Sequence, residues 1–204
     1  MSIFLIRHGE TSLNVSRVVQ PADTPLSARG LEQAEALATR LSQSGVTAIL
    51  SSDLPRALRT AQAIAQRTGL AIQTTELLRE RNFGDLRGQS YDALSVDPLT
   101  MLEAPPSGES AAVFEQRVAQ AFAELVRLRE TTGGTLAVMT HGLVLRALLA
   151  GHVQRPAGVP VPPHMGNTCI NIIDAQAPHA VSLMNCTLHL DPASADNAQA
   201  LSGG

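Results

Sequence analysis

The chain has 204 residues, of which 44% are hydrophobic and 16% are charged, and its formal net charge is −3. These values predict an ordinary globular protein with a sizeable core, and they argue against nucleic-acid or membrane-surface partners, which require a basic stripe. All 15 basic residues are arginine, which excludes Schiff-base chemistry and a P-loop lysine. We expect a cytoplasmic protein, because the first apolar block is too short for a signal peptide and no apolar run could cross a bilayer.

The first predicted element is a short strand over residues 3–6, where four apolar residues are typical of a strand buried on both faces. Arg7-His8-Gly9-Glu10 follows at once. Ligands bind at the carboxyl ends of strands in an open α/β sheet, where a guanidinium suits phosphate or carboxylate and an imidazole suits nucleophile or base chemistry. On the tetrapeptide alone, the alternative is a surface-capped strand that carries a chance Arg-His pair, and we favour the functional interpretation.

The following segments alternate between helical and strand periodicity. We predict helices over 26–43, 54–67, 109–130 and 143–150, and strands over 46–50, 71–75, 135–140, 168–174 and 180–187. Glycines and prolines interrupt residues 76–108, which is typical of a lid or a binding loop. This alternation predicts an α/β fold, a three-layer sandwich in which a mostly parallel central sheet has helices on both faces and carries an irregular lid segment.

We assign residues 1–190 to a single α/β domain and residues 191–204, rich in Ala, Ser, Asp and Gly, to a disordered tail. Cys169 and Cys186 could lie opposite each other if the last two strands pair about a turn near Ala177-Pro178. In a reducing cytoplasm we expect both thiols to be free. The oligomeric state stays open.

Three predicted strands end in residues suited to phosphate or proton chemistry. They end at Arg7-His8, at Ser51-Ser52-Asp53 with Arg56 one turn into the next helix, and at His141. If these strands are parallel neighbours, their ends meet at one edge of the sheet and form an anion site. Each histidine is followed by a glycine, which would let the backbone come close to a ligand.

A wider set of motifs follows in order over roughly residues 1–175. It comprises Arg7-His8-Gly9-Glu10-Thr11, Asn14, Ser51 through Arg56-Ala57, Thr60-Ala61, Glu80 before Phe83-Gly84, Gly108-Glu109-Ser110 and His141-Gly142. Together these motifs resemble the histidine phosphatase superfamily and, more narrowly, its phosphoglycerate-mutase-like branch.

The resemblance implies covalent catalysis. His8 would attack phosphorus to give a phosphohistidine that water then hydrolyses, and Glu80 would protonate the leaving oxygen and later activate water. The catalytic residues would be His8, Glu80, His141, Arg7 and Arg56. The residues expected to bind the phosphate or the substrate are Arg7, Asn14, Gln20, Arg56, Arg81, His141 and Gly142. No metal or other cofactor is expected, since arginines supply the positive charge.

Each assignment has an alternative on the sequence alone. Arg56 could be a solvated helix arginine, Glu80 could belong to a surface ion-pair cluster, and Asn14 could be a turn or cap residue. Glu10 has no role that we can assign and is more typical of a helix-entry residue or a structural residue.

Two features favour a phosphatase over a mutase. The segment between Glu80 and His141 is short, and His141-Gly142-Leu143 stands where cofactor-dependent mutases resemble His-Gly-Asn. The loop at 18–22 departs from the family pattern because it is shorter and has Pro21 in place of a glycine. We predict hydrolysis of a small-molecule phosphate ester, with a phosphoglycerate mutase or a non-catalytic phosphate-binding module as alternatives.

Overall fold

The computed structural model describes residues 1–191 and contains a six-stranded sheet in the order β3-β2-β4-β1-β5-β6. The strands are β1 Ser2–Arg7, β2 Val46–Ser52, β3 Ile72–Thr75, β4 Thr135–Thr140, β5 Ile170–Asp174 and β6 Val181–Cys186. The first four strands are parallel, whereas β5 is antiparallel to β1 and β6 is antiparallel to β5. The predicted α/β fold with a mostly parallel sheet is confirmed.

Helices cover both faces of this sheet. They are α1 Ser12–Val15, α2 Ala28–Leu41, α3 Pro55–Thr68, α4 Ala111–Thr132 and α5 Gly142–Gly151, and of these only the short α1 escaped the sequence analysis. Successive side chains of a strand point to opposite faces. Ile3 and Leu5 therefore join the core beneath α4 and α5, while Phe4 and Ile6 join the core beneath α2 and α3. The three layers are those of the predicted sandwich.

Helix ends are set by local chemistry. The side chain of Ser27 accepts a hydrogen bond from the backbone of Gly30 at the start of α2, and Ser110 caps α4 in the same way through Val113. Gly133 ends α4 with a φ of 68°, a left-handed conformation that glycine adopts without strain.

The segment 76–108 is irregular apart from three short 3₁₀ helices, Glu76–Leu78, Gly84–Leu86 and Tyr91–Ala93. Backbone hydrogen bonds attach it to the loop after α1. The N–H of Val19 donates to Gln89 O at 3.0 Å, Gly88 N–H donates to Val19 O at 2.7 Å, and Tyr91 N–H donates to Arg17 O at 2.9 Å. Two loops that are distant in sequence are thereby joined.

The two cysteines form no disulfide with each other. Cys186 is the register partner of Ile170 and so shares its face of the sheet, where its sulfur accepts a hydrogen bond from Arg40. Cys169 packs in the core of the opposite face. The thiols therefore do not lie opposite each other.

The disordered tail predicted for residues 191–204 lies outside the described residues, except for Asp191. Within residues 1–191, no helix has the length and apolar character needed to cross a membrane.

Candidate active site

The strand order brings together the residues that the sequence places at strand ends. β2, β4 and β1 are adjacent and parallel, so the residues that follow them share one edge of the sheet. The rings of His8 and His141 lie with their centroids 5.1 Å apart. Arg7, Arg56 and Glu80 are buried with them, each at most 4% exposed. The five side chains predicted to be catalytic thus form one buried cluster of ionisable groups.

His8 is held in one tautomer by its own backbone. Its Nδ1 lies 2.7 Å from the carbonyl oxygen of Gly9. A carbonyl oxygen can only accept, so Nδ1 carries the proton and Nε2 keeps its lone pair. Burial, followed by the charges of Arg56 and Arg7, lowers the pKa of His8 well below its ordinary value. The imidazole is therefore neutral at neutral pH, which is the form that can attack an electrophile.

His141 faces the same cluster from the end of β4. Its Nε2 lies 2.9 Å from the hydroxyl oxygen of Ser52, at the end of β2. Its Nδ1 is buried, and no described residue forms a hydrogen bond with that atom. Burial and the charges of Arg56, His8 and Arg7 lower the pKa of His141 well below its ordinary value. One ring nitrogen is thus fixed by the protein, and the other has no hydrogen-bond partner within residues 1–191.

Arg56 is buried, so the alternative interpretation that it is a solvated arginine on a helix surface is wrong. It is 1% exposed in the first turn of α3, and its Nη1 donates to the carbonyl oxygen of Pro21 at 3.4 Å. Its Nε is buried and forms no hydrogen bond with any described residue. Burial lowers the pKa of Arg56 to about 10, which leaves the guanidinium charged at neutral pH. A buried charge of this kind is suited to binding an anion.

Glu80 is 4% exposed, so the alternative of a surface ion-pair cluster is wrong. Its Oε2 accepts from the N–H of Leu143 at 3.0 Å in the first turn of α5, and its Oε1 accepts from Arg81 N–H at 3.1 Å. Burial raises the pKa of Glu80 despite these hydrogen bonds and the charge of Arg56. A carboxyl group with a raised pKa retains its proton to higher pH and suits a general acid.

Asn14 and Gln20 are both buried, and the hydroxyl of Thr11 lies within hydrogen-bond distance of both side chains. Asn14 closes a capping box at the start of α1, since its Oδ1 accepts from Thr11 N–H at 3.3 Å. The cap role that the sequence left open is therefore real, and it uses the oxygen of the amide rather than its nitrogen. The hydroxyl of Thr11 also lies 2.8 Å from Gln20 Oε1. Gly142 begins α5 directly after His141.

Arg81 does not belong with the predicted phosphate ligands. Its guanidinium donates to the carbonyl oxygens of Met101 at 2.6 Å, Glu103 at 3.3 Å and Glu109 at 3.3 Å. Its side chain also lies over the ring of Phe83. These bonds hold residues 101–109 in place, so Arg81 stabilises the irregular segment and not a bound anion.

The glycine after His8 serves packing rather than ligand approach. A Cβ atom on Gly9 would lie 2.5 Å from the carbonyl oxygen of Gly30 in α2, and one on Gly30 would lie 2.0 Å from the carbonyl oxygen of Glu10. Glu10 receives the role that the sequence could not assign. Its carboxylate accepts from the hydroxyl of Ser27 at 2.8 Å, and its backbone N–H donates to Gln33 at 2.8 Å. Glu10 thus fixes the start of α2.

The sequence analysis missed a loop at residues 164–168 that holds the backbone of His8. Asn167 Nδ2 and Thr168 N–H both donate to the carbonyl oxygen of His8, at 3.1 and 3.2 Å. The only signal in the sequence is that these polar residues directly precede the strand that pairs with β1. The contact itself spans 159 residues, and no local pattern indicates it.

The same loop orients Arg7 and is fixed in turn by Asn185. Arg7 Nη1 donates to the carbonyl oxygen of Met165 at 2.5 Å. Asn185 binds both sides of Met165, because its Oδ1 accepts from Gly166 N–H at 2.9 Å and its Nδ2 donates to His164 O at 3.0 Å. The side chain of Asn185 therefore determines where the acceptor for Arg7 lies.

Within residues 1–191, no three His, Cys, Asp or Glu side chains are grouped so that they could hold a metal ion. Two guanidiniums, two neutral imidazoles and one carboxyl group of raised pKa can together bind an anion, supply a nucleophile and donate a proton.

Comparison with known proteins gives the following similarities. The family model described as the histidine phosphatase superfamily (branch 1) matches residues 3–187. The probable phosphoglycerate mutase GpmB of Escherichia fergusonii is 34% identical over 186 residues, which cover 86% of each chain. The solved structure of the mycobacterial glucosyl-3-phosphoglycerate phosphatase superimposes with a TM-score of 0.76 at 29% identity, covering 91% of this chain and 98% of that chain. The alpha-ribazole phosphatase from Shigella flexneri also gives 0.76 at 29% identity, covering 92% and 97%.

Proposed function

Because this chain belongs to the histidine phosphatase superfamily, we propose that it is a metal-independent phosphatase that hydrolyses small organic phosphate monoesters through a phosphohistidine on His8. The observation that carries the proposal is the hydrogen bond from His8 Nδ1 to the Gly9 carbonyl, which leaves a neutral ring with a lone pair on Nε2. This nitrogen is the nucleophile.

The first step forms a P–N bond between His8 Nε2 and the phosphorus atom and breaks the ester P–O bond. Glu80, whose pKa is raised by burial, transfers its proton to the leaving oxygen in this step. In the second step the Glu80 carboxylate takes a proton from water, the water oxygen bonds to phosphorus, and the P–N bond breaks. Inorganic phosphate leaves, and His8 and Glu80 return to their starting states.

Positive charge and hydrogen-bond donors stabilise the transferring phosphoryl group. Arg7 and Arg56 provide fixed guanidiniums beside His8, and His141 provides the ring nitrogen that has no partner among the described residues. Such groups are held in place before the reaction, so little reorganisation is needed as charge develops. Asn14 and Gln20, which both lie near the hydroxyl of Thr11, are proposed substrate contacts, and Gly142 places a backbone N–H at the start of α5.

Two observations favour water over a second substrate as the phosphoryl acceptor. The side chain of Leu143, at the position where the mutases resemble His-Gly-Asn, packs into the hydrophobic core and offers no polar contact to an acceptor. Two similar solved structures are also named as phosphatases.

A single assay tests the proposal. The release of p-nitrophenol from p-nitrophenyl phosphate is measured in excess EDTA for the unaltered protein and for His8→Ala. We expect full turnover in EDTA for the unaltered protein, and for His8→Ala a loss of the order of 10⁴-fold or more, as for a removed nucleophile. Undiminished turnover by His8→Ala would exclude the nucleophile assignment, and loss of activity in EDTA would exclude the metal-independent mechanism.

A phosphoglycerate mutase is the second candidate, because the similar protein of Escherichia fergusonii is named a probable one. The two are separated by the fate of the phosphoryl group. After brief reaction with a ³²P-labelled ester, the labelled protein is mixed with a monophosphoglycerate. We expect the label to appear as inorganic phosphate at the same rate with and without the acceptor, whereas transfer to a bisphosphoglycerate would identify a mutase.

A further inference from the structure

A cavity lies at the opposite end of β1 from the candidate active site. It has a volume of about 810 Å³ and is lined by the last turns of α4, by Met1 and by the turn from Asp174 to His179. Ser2 pairs with Asp174 at this end of the sheet, whereas Arg7 and His8 follow the other end of β1. Six residues of strand separate the two places by roughly 17 Å. The cavity is therefore distinct from the site described above.

Arg129 is the unusual feature of this cavity. It follows Val118 and Leu125 along the buried face of α4 and is only 4% exposed. Its Nε is buried, and neither a hydrogen bond nor an ion pair joins the Arg129 side chain to any residue in 1–191. Leaving a buried charged group without an ion pair or a hydrogen bond costs several kcal/mol. The guanidinium therefore has the chemistry of an anion site whose ligand comes from outside the described chain.

The surroundings of Arg129 select the kind of anion. The carboxylates of Glu130 and Asp174 line the same cavity, so they would repel a dianion such as a phosphate ester more strongly than an anion with a single charge. A carboxylate carries one charge and matches the planar fork of a guanidinium. Val126, Ala177 and Pro178 add apolar walls, against which a short hydrocarbon chain would be removed from water.

We propose that this cavity binds a small organic monocarboxylate, with its carboxylate on Arg129 and its apolar chain against the turn that contains Pro178. The volume lies within the range of about 300–1,000 Å³ that is common for small-molecule sites. The site is independent of phosphoryl transfer, since none of its lining residues takes part in the proposed reaction.

The test is a titration of the ¹⁵N-labelled protein with acetate, butyrate and hexanoate, at constant ionic strength set by chloride and followed by amide chemical shifts. We expect saturable shifts at residues 126–130 and 174–179, with tighter binding for the longer acids. Arg129→Gln removes the charge and should weaken binding at least about tenfold, which corresponds to about 1.4 kcal/mol. Arg127→Gln is the matched control, because Arg127 lies two residues away on the exposed face of the same helix. It should leave binding unchanged.

Arg129→Lys serves as a second variant in case Arg129→Gln fails to fold. It keeps the positive charge but lacks the planar guanidinium, so we expect an affinity between those of the unaltered protein and Arg129→Gln, with an unchanged thermal midpoint of unfolding. Inorganic phosphate serves as the comparison ligand and should shift residues around His8 and not those around Arg129. The proposal is overturned if the acids cause no saturable change in chemical shift at concentrations up to about 50 mM, since any binding would then be negligibly weak. It is also overturned if Arg129→Gln binds like the unaltered protein, or if the acids shift only residues of the candidate active site.

Discussion

The close contact between Gly9 and α2 gives a prediction whose size follows from the geometry. In Gly30→Ala the new Cβ would lie 2.0 Å from the carbonyl oxygen of Glu10, which is a backbone atom. Side-chain rotation cannot relieve this overlap, so α2 must move away from the loop after β1. Overpacking costs about 1–3 kcal/mol, and the severity of this contact favours the upper end of that range. Replacing a helical glycine by alanine returns up to about 1 kcal/mol, which leaves a net loss of about 2 kcal/mol.

Urea and thermal unfolding measure this loss. For a chain of this size, a net loss of about 2 kcal/mol lowers the thermal midpoint by about 4–8 °C. Gly151→Ala is the control, because Gly151 ends α5 with no atom within 4 Å of the added Cβ. It should be neutral or stabilising by up to about 1 kcal/mol. The reasoning is refuted if the unfolding free energy of Gly30→Ala lies within about 0.5 kcal/mol of the unaltered protein, the usual range for surface substitutions.

Three further predictions concern the candidate active site. The acid form of Glu80 donates the proton, so kcat/KM should fall as the pH rises through the raised pKa of Glu80, and Glu80→Gln should abolish this fall and lower kcat by about 10²–10⁴-fold. If the fall in kcat/KM persists in Glu80→Gln, the titrating group is not Glu80. Arg56→Gln should lower kcat/KM by about 10²–10³-fold, because it removes a buried charge that stabilises the phosphoryl group. Arg59→Gln is the control on the exposed face of the same helix and should change kcat/KM by less than about twofold. Equal losses in the two variants would contradict the role of Arg56. Asn185→Gly introduces a residue that tolerates the φ of 52°, and it removes the two side-chain hydrogen bonds to residues 164 and 166. The free energy of unfolding in urea should fall by about 1–3 kcal/mol, and kcat should also fall because the acceptor of Arg7 is no longer held in place. An unchanged kcat would show that Arg7 does not depend on these hydrogen bonds.

Much of the fold could be predicted because the signals are local. The apolar run at 3–6 lies within β1, and the helical periodicity at 109–130 predicts α4 to within two residues at either end. The meeting of His8 and His141 could also be predicted, since parallel neighbouring strands place their carboxyl ends at one edge. The short α1 was missed because four residues are too few for a helical periodicity to be visible.

Glu80 and Arg81 show where local reasoning ends. They are adjacent members of one charged run, and the sequence predicts both of them in the active site. In the folded chain the start of α5 donates a backbone N–H to the Glu80 carboxylate, whereas the segment 101–109 surrounds the Arg81 guanidinium with carbonyl oxygens. Neighbouring side chains leave the backbone in different directions, so different segments of the chain pack against Glu80 and Arg81. The segment that packs against each side chain decides the role of that residue.

The sequence by itself determined the sheet, the helices and the gathering of His8, Arg56 and His141 at one edge, because periodicity and strand direction are properties of short segments. Only the tertiary structure decided how these groups are held. The His8 carbonyl is bound by Asn167, which is 159 residues away along the chain, and Gly9 is required by the approach of Gly30. Such contacts depend on distances between segments that share no local pattern, and the packing of the whole sandwich sets those distances.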